Sequence, residues 1–72
     1  MSWEDVHQEV MRQAVEVKRA GGTPESLYLG VDAYFALRTR PDAMGYWTTD
    51  PDEYYGLTVY QVYFPRDHVR VV

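Results

Sequence analysis

The chain has 72 residues, with eleven acidic and seven basic side chains and no cysteine. This length allows a single domain, residues 1–72, with a small core, and the composition excludes disulfides and cysteine-bound metal ions. A net charge of −4 removes the attraction that drives direct nucleic-acid binding, and no apolar run is long enough to cross a membrane. We therefore expect a cytoplasmic protein that binds neither nucleic acid nor membrane directly.

The first element is an amphipathic helix over residues 3–20. Its apolar side chains recur at spacings of three and four residues, which is one face of a helix; they are Trp3, Val6, Val10, Ala14 and Val17. Ser2 has the chemistry of an N-cap, and Gly21-Gly22 ends the helix because glycine accepts left-handed geometry at least cost.

A strand and a short helix follow. Residues 26–29 alternate as a short strand, Gly30 allows a sharp turn, and residues 31–38 form a helix of two turns. A helix this short needs packing against the rest of the domain, because the hydrogen bonds of two turns do not offset the unfavourable free energy of helix nucleation.

Residues 39–53 show no clear period and carry two prolines and a glycine, so we interpret them as a long loop. A loop of this length in a small domain is usually functional or disordered. The adjacent aromatic residues Tyr46 and Trp47 argue against disorder.

The last part of the chain predicts two strands. Residues 57–63 have the highest strand propensity, Pro65-Arg66-Asp67 forms a turn, and residues 68–72 alternate cleanly. We expect these strands to form an antiparallel hairpin. The fold class is then α+β, a two-layer α-β-α-β-β domain with two helices on a three-stranded sheet.

The net charge lies in one segment. Residues 42–64 contain four acidic side chains and no lysine or arginine, whereas the rest of the chain has seven of each sign. The same segment holds seven of the eleven aromatic residues, more than a small core readily buries. Exposed tyrosine and tryptophan are typical of binding hot spots, and nearby acids favour a basic partner. The predicted partner-binding residues are Asp42, Tyr46, Trp47, Asp50, Asp52, Glu53, Tyr54 and Tyr55.

No pattern in the chain indicates catalysis, so we predict no catalytic residue, no metal site and no cofactor. His7 and His68 are expected to face solvent, and no serine lies in a nucleophile motif. The carboxylates Asp50, Asp52 and Glu53 fail the spacing of a calcium loop and fit a solvated turn.

Two stretches, TPESLYLGVDAYFALR at residues 23–38 and YYGLTVYQVYFPRDHVRVV at residues 54–72, resemble small proteins of phages and prophages. This resemblance implies a non-enzymatic inhibitor of host machinery, of which anti-CRISPR proteins are one class. Its implied partner is the basic, nucleic-acid-binding surface of a host complex such as a Cas effector, in the host cytoplasm. Two alternatives stay open, a phage structural or assembly protein and a small homodimeric adaptor.

Overall fold

Three helices and five strands build the domain. A computed structural model describes all 72 residues, and its elements are α1 (Trp3–Arg19), β1 (Ser26–Gly30), α2 (Val31–Arg38), α3 (Pro41–Met44), β2 (Trp47–Thr48), β3 (Glu53–Tyr54), β4 (Leu57–Val62) and β5 (Val69–Val71).

Helix α1 confirms the prediction from periodicity. Ser2 is its N-cap, and the Ser2 side chain accepts a hydrogen bond from the backbone N–H of Asp5 at 3.2 Å. This bond satisfies one of the donors that a helix leaves free at its N-terminus. Val6 and Val10 are buried on the inner face of α1.

The strands form one mixed sheet in the order β2-β3-β4-β1-β5. Strands β1 and β4 are parallel, and every other neighbouring pair is antiparallel. The α+β class is therefore confirmed. Two parallel strands need a long crossover connection between them, and the chain from β1 to β4 provides one that includes α2.

All three helices contribute to a core on one face of the sheet. Leu27 and Leu29 of β1 are fully buried there, together with Leu37 of α2 and Ala43 of α3. Because successive side chains of a strand point to opposite faces, residues such as Tyr28 lie on the other face, which no helix covers.

The sheet has five strands rather than the predicted three. The additional strands β2 and β3, and the short helix α3, lie in or at the edge of residues 39–53, for which the sequence predicts a loop. A strand of two residues is too short to show a period. Its hydrogen bonds come from tertiary pairing, here of β2 with β3 and of β3 with β4.

The prediction that the last two strands form a hairpin is wrong. Strand β5 pairs with β1, so β1 lies between β4 and β5. Residues 63–68, which we call the crossing loop, pass over the end of β1 to make this connection. Six residues suffice to reach across one intervening strand, because neighbouring strands lie only about 5 Å apart.

Gly30 allows the crossing loop to pass. Gly30 has a φ of −67°, a backbone conformation that other residues also adopt, so glycine is not needed here for a left-handed turn. A Cβ atom there would lie 2.5 Å from the carbonyl carbon of Arg66, and closer still to the carbonyl oxygens of Pro65 and Arg66. The role of Gly30 is therefore close backbone approach rather than the sharp turn that the sequence suggested.

The crossing loop also caps α2. The backbone carbonyl of Arg66 accepts a hydrogen bond from the N–H of Asp32 at 2.9 Å, at the N-terminus of α2. The Arg66 guanidinium donates two hydrogen bonds to the Asp32 carboxylate, at 3.1 and 2.7 Å, and these bonds hold the pKa of Asp32 below its usual value. One residue thus joins the loop to the helix through both backbone and side chain.

A glutamine of α1 protects the free edge of β5. The Gln13 side-chain amide donates to the carbonyl of Val69 and accepts from the N–H of Val71, both at 2.8 Å. It takes the place of a neighbouring strand at these two groups, and an exposed edge strand is otherwise a template for pairing with another chain.

Candidate functional site

Strands β2 and β3 position most of the residues that the sequence predicts for a partner surface. The register pairs Trp47 with Tyr54 and Thr48 with Glu53. Since side chains alternate across a strand, the first pair faces the core and the second pair faces the opposite side of the sheet.

Trp47 and Tyr54 belong to the core, which corrects their assignment to a partner surface. Trp47 is 9% exposed, its Nε1 donates a hydrogen bond to the carbonyl of Leu37 at 2.9 Å, and the guanidinium of Arg38 lies 4.5 Å from its ring centroid. Tyr54 is completely buried. Their large rings fill the space between the small sheet and the helices, so they stabilise the domain instead of contacting a partner.

Tyr46 and Tyr55 do lie on the surface. The backbone N–H of Tyr55 donates to the carbonyl of Tyr46 at 2.8 Å, and the two ring centroids are 5.7 Å apart. Both rings lie beside His7 of α1, at centroid distances of 4.7 and 6.2 Å, and the Trp3 ring lies 5.8 Å from His7. We call these four residues, Trp3, His7, Tyr46 and Tyr55, the tyrosine surface.

His7 was expected to face solvent, but it is partly buried at the base of the tyrosine surface. Its Nδ1 atom lies 2.6 Å from the Tyr54 hydroxyl oxygen, with which it forms a hydrogen bond. Burial lowers the pKa of His7 and raises the pKa of Tyr54, so both groups are uncharged at neutral pH. The spacing of His7, four residues after Trp3 and three before Val10, is the signal that places it beside the buried face.

Three carboxylates lie around the turn between β2 and β3, which we call the acidic turn (Asp50, Asp52 and Glu53). Asp50 is exposed and forms no salt bridge. Asp52 lies 3.7 Å from the Arg38 guanidinium, and Glu53 accepts a hydrogen bond from the Thr48 hydroxyl at 3.3 Å. Asp50 therefore has the least compensated charge of the three.

The structure separates the predicted site into two parts. Tyr46 and Tyr55 flank the open end of the β2–β3 hairpin, and the acidic turn closes its other end, about 10 Å away along the strands. Asp42, exposed in the first turn of α3, lies beside Trp3 and Glu4 and so adjoins the tyrosine surface rather than the acidic turn.

No group of three or more histidine, cysteine, aspartate or glutamate side chains is placed to hold a metal ion. None of the three helices combines the length and the hydropathy that crossing a bilayer requires.

Comparisons with models of protein families, with curated proteins and with solved structures each gave no match. The fold defines a small α+β domain, and any assignment of function depends on the surfaces of the chain itself.

Proposed function

We propose that this protein is a non-enzymatic binding protein that docks onto a basic surface of a larger complex through the tyrosine surface and the acidic turn. The observation that carries the proposal is the conformation of Tyr55. Tyr55 and Gly56 form the two-residue turn between β3 and β4, and both have positive φ, 53° and 80°.

A tyrosine at position 55 destabilises the turn between β3 and β4. Turns of this kind favour asparagine or aspartate followed by glycine, because a bulky side chain is strained at positive φ. Tyr55 is also 56% exposed, so much of its ring gains nothing from burial. A strained, exposed aromatic side chain at a turn supports a role in contact with a partner, where its ring would be buried.

The charge of the same segment supports a basic partner. Residues 42–64 carry four acidic side chains and no basic ones, and Asp50 projects from the acidic turn without a salt bridge. Such a surface speeds the encounter with a positively charged site and disfavours acidic competitors. Nucleic-acid-binding proteins present positively charged sites of this kind.

The resemblance to small phage proteins extends the proposal to a particular partner class. On this proposal the chain acts in the cytoplasm of a host cell and covers the nucleic-acid-binding surface of a Cas effector. The acidic turn occupies positions of nucleic-acid phosphates, and Tyr46 and Tyr55 supply the apolar contact.

The proposal can be tested with purified Cas effector complexes loaded with guide RNA. The assay measures binding of the chain by biolayer interferometry and the inhibition of target-DNA binding by gel shift. Tyr55→Asn should keep or raise the stability of the domain, because asparagine suits the turn, yet weaken binding about tenfold. Asp50→Lys should weaken binding and reduce its dependence on salt.

The matched control is Asp67→Lys, which makes the same charge change in the crossing loop, away from both parts of the site. It should leave binding close to that of the unmodified chain. If an effector that binds the unmodified chain binds Tyr55→Asn and Asp50→Lys with the same affinity, these surfaces are not the interface. If the chain binds none of the effectors and leaves their DNA binding intact, the assignment to Cas effectors is wrong.

A further inference from the structure

The face of the sheet opposite the helices has no partner within the chain. Along each strand, the side chains on this face alternate with the side chains of the core. None of the side chains on this face belongs to the cluster of buried core residues. At the centre of this open face, Tyr28 of β1 lies directly beside Tyr60 of β4 in the parallel register. Their rings stack with centroids 5.2 Å apart, and Tyr60 is 47% exposed.

Two opposite charges flank the tyrosine pair. Arg70 of β5 is the register partner of Tyr28 on the side away from Tyr60. Glu53 lies on β3, the neighbour of β4 on the other side, and its register partner is Thr58. With strands about 4.8 Å apart and a rise of about 3.4 Å per residue, Arg70 lies about 7 Å and Glu53 about 10 Å from the midpoint between Tyr28 and Tyr60, on opposite sides of it across the sheet.

This arrangement is complementary to itself. We propose that a second copy of the chain packs on the open face, related by a two-fold axis that runs parallel to the strands over the Tyr28–Tyr60 pair. The rotation reverses the order of strands across the interface, so Arg70 of each subunit faces Glu53 of the partner subunit. An axis perpendicular to the strands would instead oppose like charges, Arg70 to Arg70, so the charges select the first arrangement.

The geometry along the strands allows the contact. Glu53 lies at the level of Thr58, two residues before Tyr60, so its offset from Arg70 along the strand is about 7 Å. Extended arginine and glutamate side chains span this offset together. The interface then has an aromatic centre and two charge pairs at its rim, which is the usual anatomy of a protein–protein interface.

A second copy fits this face better than the basic partner proposed for the acidic turn, because Arg70 would repel a basic surface. The open face measures about 24 Å across five strands and about 13 Å along them, which places the dimer among small, weak interfaces. We therefore expect association at micromolar to sub-millimolar concentration. The dimer shares Glu53 with the acidic turn but involves neither Tyr55 nor Asp50, so the variants that test the proposed function leave the dimer contacts unchanged.

Sedimentation equilibrium from about 5 to about 500 μM tests the dimer, in the range where an interface of this size associates. Four chains are compared: the unmodified chain, Arg70→Glu, Glu53→Arg and the double variant with both changes. Each single variant opposes like charges twice in the dimer, so its association should weaken at least about tenfold. The double variant restores opposite charges and should recover the affinity of the unmodified chain.

Lys18→Glu is the charge-matched control for Arg70→Glu, because Lys18 lies in the last turn of α1, away from the open face. It should associate like the unmodified chain. Circular dichroism identifies any variant that fails to fold; in that case Tyr60→Lys, which charges the centre of the open face, should abolish association. A monomeric unmodified chain at 500 μM, single variants that associate normally, or a double variant that stays as weak as the singles would each overturn the proposal.

Discussion

Replacement of Gly30 by alanine tests the physical role of the crossing loop. The added methyl group would lie 2.5 Å from the carbonyl carbon of Arg66. Backbone atoms cannot rotate away as a side chain can, so the loop must shift by about 1 Å to restore normal contact distances. The same loop accepts two hydrogen bonds, from Gly30 N–H to His68 O and from Asp32 N–H to Arg66 O, both at 2.9 Å.

The size of the effect follows from those two hydrogen bonds. A shift of this size weakens or breaks them, and each lost bond costs about 1–2 kcal/mol, more for the buried Gly30 N–H than for the N–H of the half-buried Asp32. We therefore expect Gly30→Ala to lower the free energy of unfolding by about 2–4 kcal/mol. A domain of this length has about 4–11 kcal/mol in total, so the variant should lose a large fraction of its stability and about 10–30 °C in Tm.

Urea unfolding followed by circular dichroism measures the loss, and Gly45→Ala is the matched control. Gly45 has a φ of −64°, and a Cβ atom added there would have no neighbour within 4 Å, so alanine should be neutral or stabilise by up to about 1 kcal/mol. If Gly30→Ala stays within about 0.5 kcal/mol of the unmodified chain, or if both variants lose stability equally, close approach of the loop is not the reason for Gly30.

Three further changes probe the core and the edge of the sheet. Gln13→Leu should cost about 1–2 kcal/mol in urea unfolding and increase aggregation on heating, because it uncovers two backbone groups of β5; unchanged light scattering would argue against edge protection. Trp47→Phe should lose about 1–2 kcal/mol with the hydrogen bond to the Leu37 carbonyl, and a neutral result would contradict that role. For His7, the folded-state pKa lies below the unfolded value near 6.5, so the unfolded chain binds the proton more tightly. Stability should therefore fall as pH drops from about 7 through the lowered pKa, and His7→Gln should flatten this part of a Tm-versus-pH profile; parallel profiles would show that His7 is not the group responsible.

The candidate site was only partly predictable from its residues. The exposed positions of Asp50 and Tyr55 agree with the expected surface, whereas Trp47 and Tyr54 are buried. Composition shows that many aromatic rings are close together in sequence but not which of them face inward. That choice follows from the register of β2 with β3, which pairs Trp47 with Tyr54 on the core face.

Local signals were sufficient where the structure is local. The Ser2 cap and the three- and four-residue spacing of Val6 and Val10 predict α1, because a helix makes its hydrogen bonds within one segment. The alternation of residues 26–29 and 68–72 likewise predicts β1 and β5. The acidic, lysine-free and arginine-free character of residues 42–64 is a property of composition and needs no fold at all.

Tertiary structure decided which strands are neighbours, and with that the surfaces of the domain. The pairing of β5 with β1, the passage of the crossing loop over Gly30 and the formation of β2 and β3 all depend on contacts between segments far apart in the chain. The strand propensity of a segment does not indicate which strand it will pair with, because the backbone groups that form the hydrogen bonds are the same in every strand. The choice is made by packing on the shared core, and it alone brings Glu53, Tyr60, Tyr28 and Arg70 onto one open face.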